Sequence, residues 1–150
     1  MAQAVSDLFK SFAQVLGPNP TVTGTDLVQL IKQLFSVAAG LTAHAGGTQA
    51  AGLQLSAAIN ELAVVATAAD SVLLPVGLPG QITVIINDGA ASAQVFGVAA
   101  NPQNGGVGDT IAAHGAVTQT ATATGVAQAT AAVGIYYCFA LGKWKQTLLT

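Results

Sequence analysis

Apolar residues keep a helical rhythm at the start of this chain and a strand rhythm further on. Over residues 4–16, Val5, Leu8, Phe9, Phe12, Val15 and Leu16 recur at intervals of three and four, the spacing of one helical face. Gly17-Pro18-Asn19-Pro20 stops the pattern, because proline cannot continue a helix and biases the residue before it towards extended backbone. A second amphipathic helix is predicted over residues 25–39. Thr23 or Thr25 caps it, and Asp26 lies in the first turn, where the helix dipole favours an acid. Its stripe is Leu27, Leu30, Ile31, Leu34, Val37, Ala38 and Leu41, with Gln29, Lys32, Gln33 and Ser36 on the other side.

Near Gly40 the rhythm is lost. Residues 41–60 are rich in Gly, Ala and Thr around Gly46-Gly47 and read as an arm or linker, re-engaging a core at Leu53, Leu55 and Ile59. Strand signals follow. Leu62 to Ala66 and Ser71 to Leu74 flank a turn around Ala69-Asp70, and Leu78-Pro79-Gly80 marks another bend. The run Ile82-Thr83-Val84-Ile85-Ile86 is β-branched and uninterrupted, as suits a strand buried on both faces or nearly so. Asp88-Gly89 is expected to reverse the chain there into a hairpin with Ser92 to Phe96. Asn101 to Gly108 has the composition of a surface loop. Asp109-Thr110-Ile111 and Val126 to Ala129 follow, and Ile135 to Ala140 and Lys143 to Leu149 form a closing pair about Leu141-Gly142.

The predicted fold is mainly β: an antiparallel β-sandwich or jelly-roll-like domain over residues 61–150, preceded by the arm at 41–60 and a two-helix segment at 1–40.

Composition changes the picture at the surface. Charged residues make up 7% of the 150, against roughly 25% in ordinary soluble domains. There is no arginine, and neither 33–60 nor 110–142 carries a fixed charge. A dispersed monomer needs solvated charge. Membrane burial does not account for the shortage, because Gly, Thr, Gln, Asn and Ser break every stretch before about 18 apolar residues accumulate. Asp7 and Lys10 fall where a secretion signal would need its apolar segment. Coverage by other protein, in an oligomer, fits better. The net charge of −2, with no basic cluster, argues against nucleic acid.

Candidate chemistry is sparse. His44 and His114 have no further ligands at zinc spacing. Cys138, between Tyr137 and Phe139, reads as an inert buried thiol, and no serine stands in a nucleophile elbow. Gly105-Gly106-Val107-Gly108 lacks the lysine and following helix of a phosphate loop. Asp88 and Asp109 read as turn-makers bonded to their own backbones, and Trp144 as a core anchor. No catalytic residue, cofactor or metal site is assigned. The candidate partner contacts are Phe9, Phe12, Leu27, Leu30, Ile31 and Leu34, on the two helical stripes.

One grammar in the β region resembles a known family. The segment Ala66-Thr67-Ala68-Ala69-Asp70-Ser71-Val72-Leu73-Leu74-Pro75 is similar to one in small structural proteins of tailed bacteriophages. There it precedes a Gly-led apolar strand ending in Asn-x-Gly, here Gly80 to Gly89, and then Gln-Val-Phe-Gly, here Gln94 to Gly97. Asp109-Thr110-Ile111, Thr124 to Gln128, and the closing Tyr136 to Trp144 continue it. The likeness runs from about Gly40 to the end and departs at Ala112-Ala113, where that family often has Asn-Gly. It implies a non-enzymatic virion protein, expected to be a capsid decoration (cement) protein. Such a protein would assemble in the bacterial cytoplasm and sit on the capsid exterior as a homotrimer bound to the major capsid protein, with no nucleic-acid or membrane partner. The alternative is a tail- or head-fibre appendage whose β domain binds a receptor or glycan through Trp144, Tyr136 and Tyr137.

Overall fold

The computed structural model describes residues 36–149. They form ten strands: β1 Val37–Thr42, β2 Leu53–Gln54, β3 Ile59–Val64, β4 Ser71–Leu73, β5 Ile82–Asn87, β6 Ala93–Phe96, β7 Thr110–Ala112, β8 Val126–Gln128, β9 Ala132–Ala140 and β10 Lys143–Leu149. A six-stranded sheet has the order β1-β3-β5-β9-β10-β7, and a four-stranded sheet the order β2-β4-β6-β8.

The order describes a winding. From β1 to β6 the chain alternates between the sheets, so each odd strand lies beside the previous odd strand and each even strand beside the previous even one. Strands reached by that route run the same way: Val37 stands beside Ile59 and Ile59 beside Val84, while Val72 lies between Leu53 and Val95, all in parallel pairs. The later strands close the winding. β8 pairs antiparallel with β6, β9 runs antiparallel between β5 and β10, and β7 lies parallel to β10.

The expected antiparallel sandwich or jelly roll is therefore corrected to two mixed sheets, with the parallel pairs concentrated in the first half. The expected hairpin at Asp88-Gly89 goes with it, because β5 and β6 belong to different sheets. Gly89 serves another purpose. A side chain there would place Cβ 2.6 Å from Val65 Cβ, so the glycine permits a close crossing beside the end of β3. Asn87 makes the turn, its Oδ1 accepting from Gly89 N at 3.1 Å.

The predicted helix over 4–16 and most of that over 25–39 lie outside the described residues. The end of the second is corrected: Val37, Ala38 and Leu41 belong to the extended strand β1, where Gly40 at φ 71° accompanies a register shift between Ala38 and Leu41. No α-helix occurs among the described residues; the helical geometry there is a 3-10 turn at Pro102–Asn104. The stretch read as an arm is built into the first coil. Ala43 is buried, His44 and Ser71 exchange backbone hydrogen bonds, and Gln49 donates to Gly97 O at 2.7 Å and Thr122 O at 2.8 Å. The closing β9–β10 pair forms as expected, with Gly142 at φ 65° in its turn.

The core lies between the sheets. Leu62, Ile85, Ile111, Tyr136, Cys138 and Trp144 from the larger sheet meet Val72, Ala93, Val95 and Val126 from the smaller one.

Candidate functional site

The larger sheet has a second face, and it is more apolar than the first on the central strands. Alternation along a strand sends successive side chains to opposite faces. β5 turns Thr83, Ile85 and Asn87 into the core and Ile82, Val84 and Ile86 outward. β9 buries Ala132, Gly134, Tyr136 and Cys138, and presents Val133, Ile135, Tyr137 and Phe139. Hydrogen-bonded register aligns these in rows across the sheet. One row is Val37, Ile59, Val84, Ile135 and Thr147; the next is Glu61, Ile86, Val133 and Leu149; a third is Ile82, Tyr137 and Lys145.

Val37, Ile82, Phe139 and Leu149 each leave more than half of their surface in solvent. Single exposed apolar residues are ordinary; Ile82, Tyr137 and Phe139 are neighbours on this face, and Val84, Ile86, Val133 and Ile135 beside them are half-buried. Its charges stand near the sides. Glu61 lies on β3, its Oε2 accepting from Gly40 N at 3.4 Å, while Lys143 and Lys145 lie on β10. The signal for this face was present in the sequence. The uninterrupted run Ile82 to Ile86 implied cover on both sides, and the described chain supplies it on one. Nothing local in the sequence connects that run with Val133, Ile135 and Tyr137, because their alignment depends on a pairing between segments far apart in the chain.

The candidate contacts named from the sequence, Phe9, Phe12, Leu27, Leu30, Ile31 and Leu34, lie outside the described residues. The other singled-out side chains are scattered. His44 is exposed, and His114, also exposed, accepts a bond on Nδ1 from Leu148 N at 3.2 Å. Cys138 is buried and its Sγ donates to Ala140 O at 2.9 Å; burial pushes the thiol up from its ordinary value, which keeps it protonated and poorly nucleophilic. No family model, curated protein or solved structure matches the chain. Among the described residues no group of three His, Cys, Asp or Glu side chains could hold a metal ion, and no helix is long and apolar enough to cross a membrane.

Asp109, expected to bond its own backbone in a turn, instead accepts on its carboxyl group from other segments. It is fully buried, and its carboxyl group accepts from Gly77 N at 2.7 Å, Trp144 Nε1 at 3.2 Å and Asn101 Nδ2 at 2.8 Å. The group ties Gly77 and Trp144, both distant in sequence, to the loop 101–109 at the start of β7. Asp88 is exposed, and its backbone N–H donates to Leu62 O. Gly105, at φ 63°, ends the short 3-10 turn that Asn101 begins.

Trp144 and Tyr136 are fully buried, and Tyr137 points out of the larger sheet. These three aromatics do not form a ligand groove.

Proposed function

We propose that this chain is a non-enzymatic structural protein of a bacteriophage virion. In this reading it is a capsid decoration protein that binds the major capsid protein from outside as a homotrimer and works through buried area. The observation that carries the reading is the outer face of the six-stranded sheet, whose central strands turn Ile82, Val84, Ile86, Val133, Ile135 and Tyr137 away from the core. A charge-poor surface supports it, because few charged groups must leave water when subunits close on one another. The phage-like segments from Ala66 to Pro75 and from Gly80 to Gly97 supply the setting. The fibre alternative loses two of its three aromatic contacts, Trp144 and Tyr136, to the core.

Mass spectrometry of purified virions of the phage encoding the chain tests the reading. The protein is expected in a fixed ratio to the major capsid protein, and heads lacking it are expected to open at lower temperature. Absence from virions overturns it.

A further inference from the structure

We propose that Asn104-Gly105 is a self-modifying site, where the asparagine amide is lost to its own backbone and an acidic group takes its place beside Asp109. The site is independent of the virion reading, since its chemistry needs only this chain and water.

Deamidation requires an asparagine side chain and a following amide nitrogen that can reach it. Gly105 N attacks Asn104 Cγ, and the side-chain nitrogen leaves as ammonia with the proton that Gly105 N gives up. The product is a cyclic succinimide. Water then opens the ring at one of its carbonyls. Opening at the backbone carbonyl leaves isoaspartate, with the main chain running through the former side chain; opening at Cγ leaves aspartate. Overall the site takes up one water and releases one ammonia, and nothing is oxidised or reduced.

The chain has five asparagines, and sequence and fold close four of them. Asn19 and Asn101 precede prolines, which have no N–H to attack with. Asn60 is fully buried in β3. Asn87 is fully buried too, its Nδ2 donating to Ala91 O at 2.9 Å and Gln128 O at 3.0 Å. Asp88-Gly89, the one Asp-Gly step, can form the same ring, but Gly89 is buried and its N–H donates to Asn87 Oδ1 at 3.1 Å. Asn104 instead ends a 3-10 turn at the surface, and Gly105 and Gly106 follow it at φ 63° and 84°. A Cβ on either glycine would meet nothing within 4 Å. The attacking nitrogen therefore belongs to a residue without a side chain, in open surroundings and with wide backbone freedom. Asn104 N and Gly106 N both donate to Asn101 O, at 3.0 and 2.9 Å, and an exposed turn held by so few bonds opens at little cost.

The surroundings give the change a consequence. A Cβ on Gly142 would stand 3.2 Å from Asn104 Nδ2 and 2.8 Å from Asp109 Oδ1, so the two side chains converge on one point. Deamidation sets a second acidic group beside the buried Asp109, and paired carboxylates repel. Isoaspartate also lengthens the main chain inside a loop that is tied at both ends. Asn101 Nδ2 donates to Gly77 O at 3.2 Å, and Thr110 N donates to Gly142 O at 2.9 Å. The junction of β7 with β10 is what loosens.

The test is ageing of the full chain in mildly alkaline buffer, folded and in urea, followed by digestion with a protease that cuts before aspartate. Cuts before Asp88 and Asp109 isolate residues 88–108, and fragment masses place the exchange of an amide nitrogen for oxygen. A new aspartate at position 104 is cut by the same protease and isoaspartate is not, which separates the two products. The folded chain is expected to convert at position 104 and at no other asparagine, and to keep its cut at Asp88. The chain aged in urea is expected to lose part of that cut as well. Asn104→Gln is expected to abolish the acidic product and Gly105→Ala to slow its formation; should the second fail to fold, the first carries the comparison. The aged chain and Asn104→Asp are both expected to unfold at lower urea than the fresh wild type, read through Trp144 fluorescence.

A folded chain that keeps its amide at position 104 while the unfolded chain loses it overturns the proposal, as does earlier conversion at Asn60 or Asn87. An aged chain and an Asn104→Asp variant that both retain the wild-type urea midpoint overturn the part that involves Asp109.

Discussion

Asp109 shows how much a single buried carboxyl group can organise. Gly77, Gly97 and Gly142 press around it; a Cβ would come within 2.8 Å of its Oδ2 from Gly77, within 2.6 Å of its Cβ from Gly97 and within 2.8 Å of its Oδ1 from Gly142. Removing the acceptor leaves the buried donors Gly77 N and Trp144 Nε1 without it, while Asn101 Nδ2 keeps Gly77 O at 3.2 Å. Leaving a buried donor unmade costs about 1–3 kcal/mol, so Asp109→Ala is expected to lower unfolding free energy by roughly 3 kcal/mol or more, read by urea denaturation through Trp144 fluorescence. Two glycines separate close approach from backbone strain in the same assay. Gly89→Ala drives a methyl group into Val65 and is expected to cost about 1–3 kcal/mol as overpacking. Gly105→Ala meets nothing within 4 Å, and its φ of 63° is expected to cost about 1 kcal/mol. A loss at Gly89→Ala well below about 1 kcal/mol would show that the crossing beside β3 is looser than the geometry gives.

At the scale of elements, side chains do the joining where the winding changes sheet. Asp70 closes the turn between β3 and β4. Its Oδ1 accepts from Thr67 Oγ1 at 2.7 Å, and its Oδ2 accepts from Ala66 N at 2.7 Å and Thr67 N at 3.2 Å. The Thr67 hydroxyl, foremost, and these backbone donors hold the carboxyl below its ordinary value of 3.8. A group depressed on folding stabilises fully above its unfolded value, and its contribution disappears as pH falls through the folded one. Thr67→Val is therefore expected to weaken the protein at neutral pH and to lose less on acidification below 3.8 than the wild type does, measured as urea midpoints against pH. At the closing end, Tyr136 donates to Gln128 Oε1 at 2.9 Å and accepts from Gln146 Nε2 at 2.7 Å, linking β8 of one sheet with β9 and β10 of the other. Burial pushes the phenol well above its usual range, so it remains a donor. Tyr136→Phe and Gln146→Leu are expected to be strongly non-additive in a double-mutant cycle, since both break one network.

What the sequence made legible follows the same local logic. The β9–β10 hairpin was readable because its partners are neighbours in the chain and Gly142 marks the turn. Trp144 against Lys143 and Lys145 also gave the inward and outward positions of β10. The parallel coils were not readable. The partner of Ile82–Asn87 lies on β3, a whole coil earlier, and nothing local distinguishes a crossing at Asp88-Gly89 from a reversal. Of the candidate surface, the sequence showed one strand's need for cover. It did not show the rows that join that strand to β9.

For the whole molecule, the coil order predicts where unfolding begins. β5 and β9 are bordered on both sides by strands, and between them hold Ile85, Tyr136 and Cys138 in the core. β1 lies at an edge of the larger sheet, carries a register shift at Gly40, and contains no fully buried side chain. Stacked coils depend chiefly on their nearest neighbours, so the end coil can open without the rest, whereas opening the centre disrupts both sheets. In native-state hydrogen exchange, the amides of β1 bonded to β3 are expected to exchange by local opening well below the global free energy. Those joining β5 to β9 are expected to exchange only through global unfolding. Equal protection of β1 and β5 would mean that the coils unfold as one unit and that the winding does not set the order of opening.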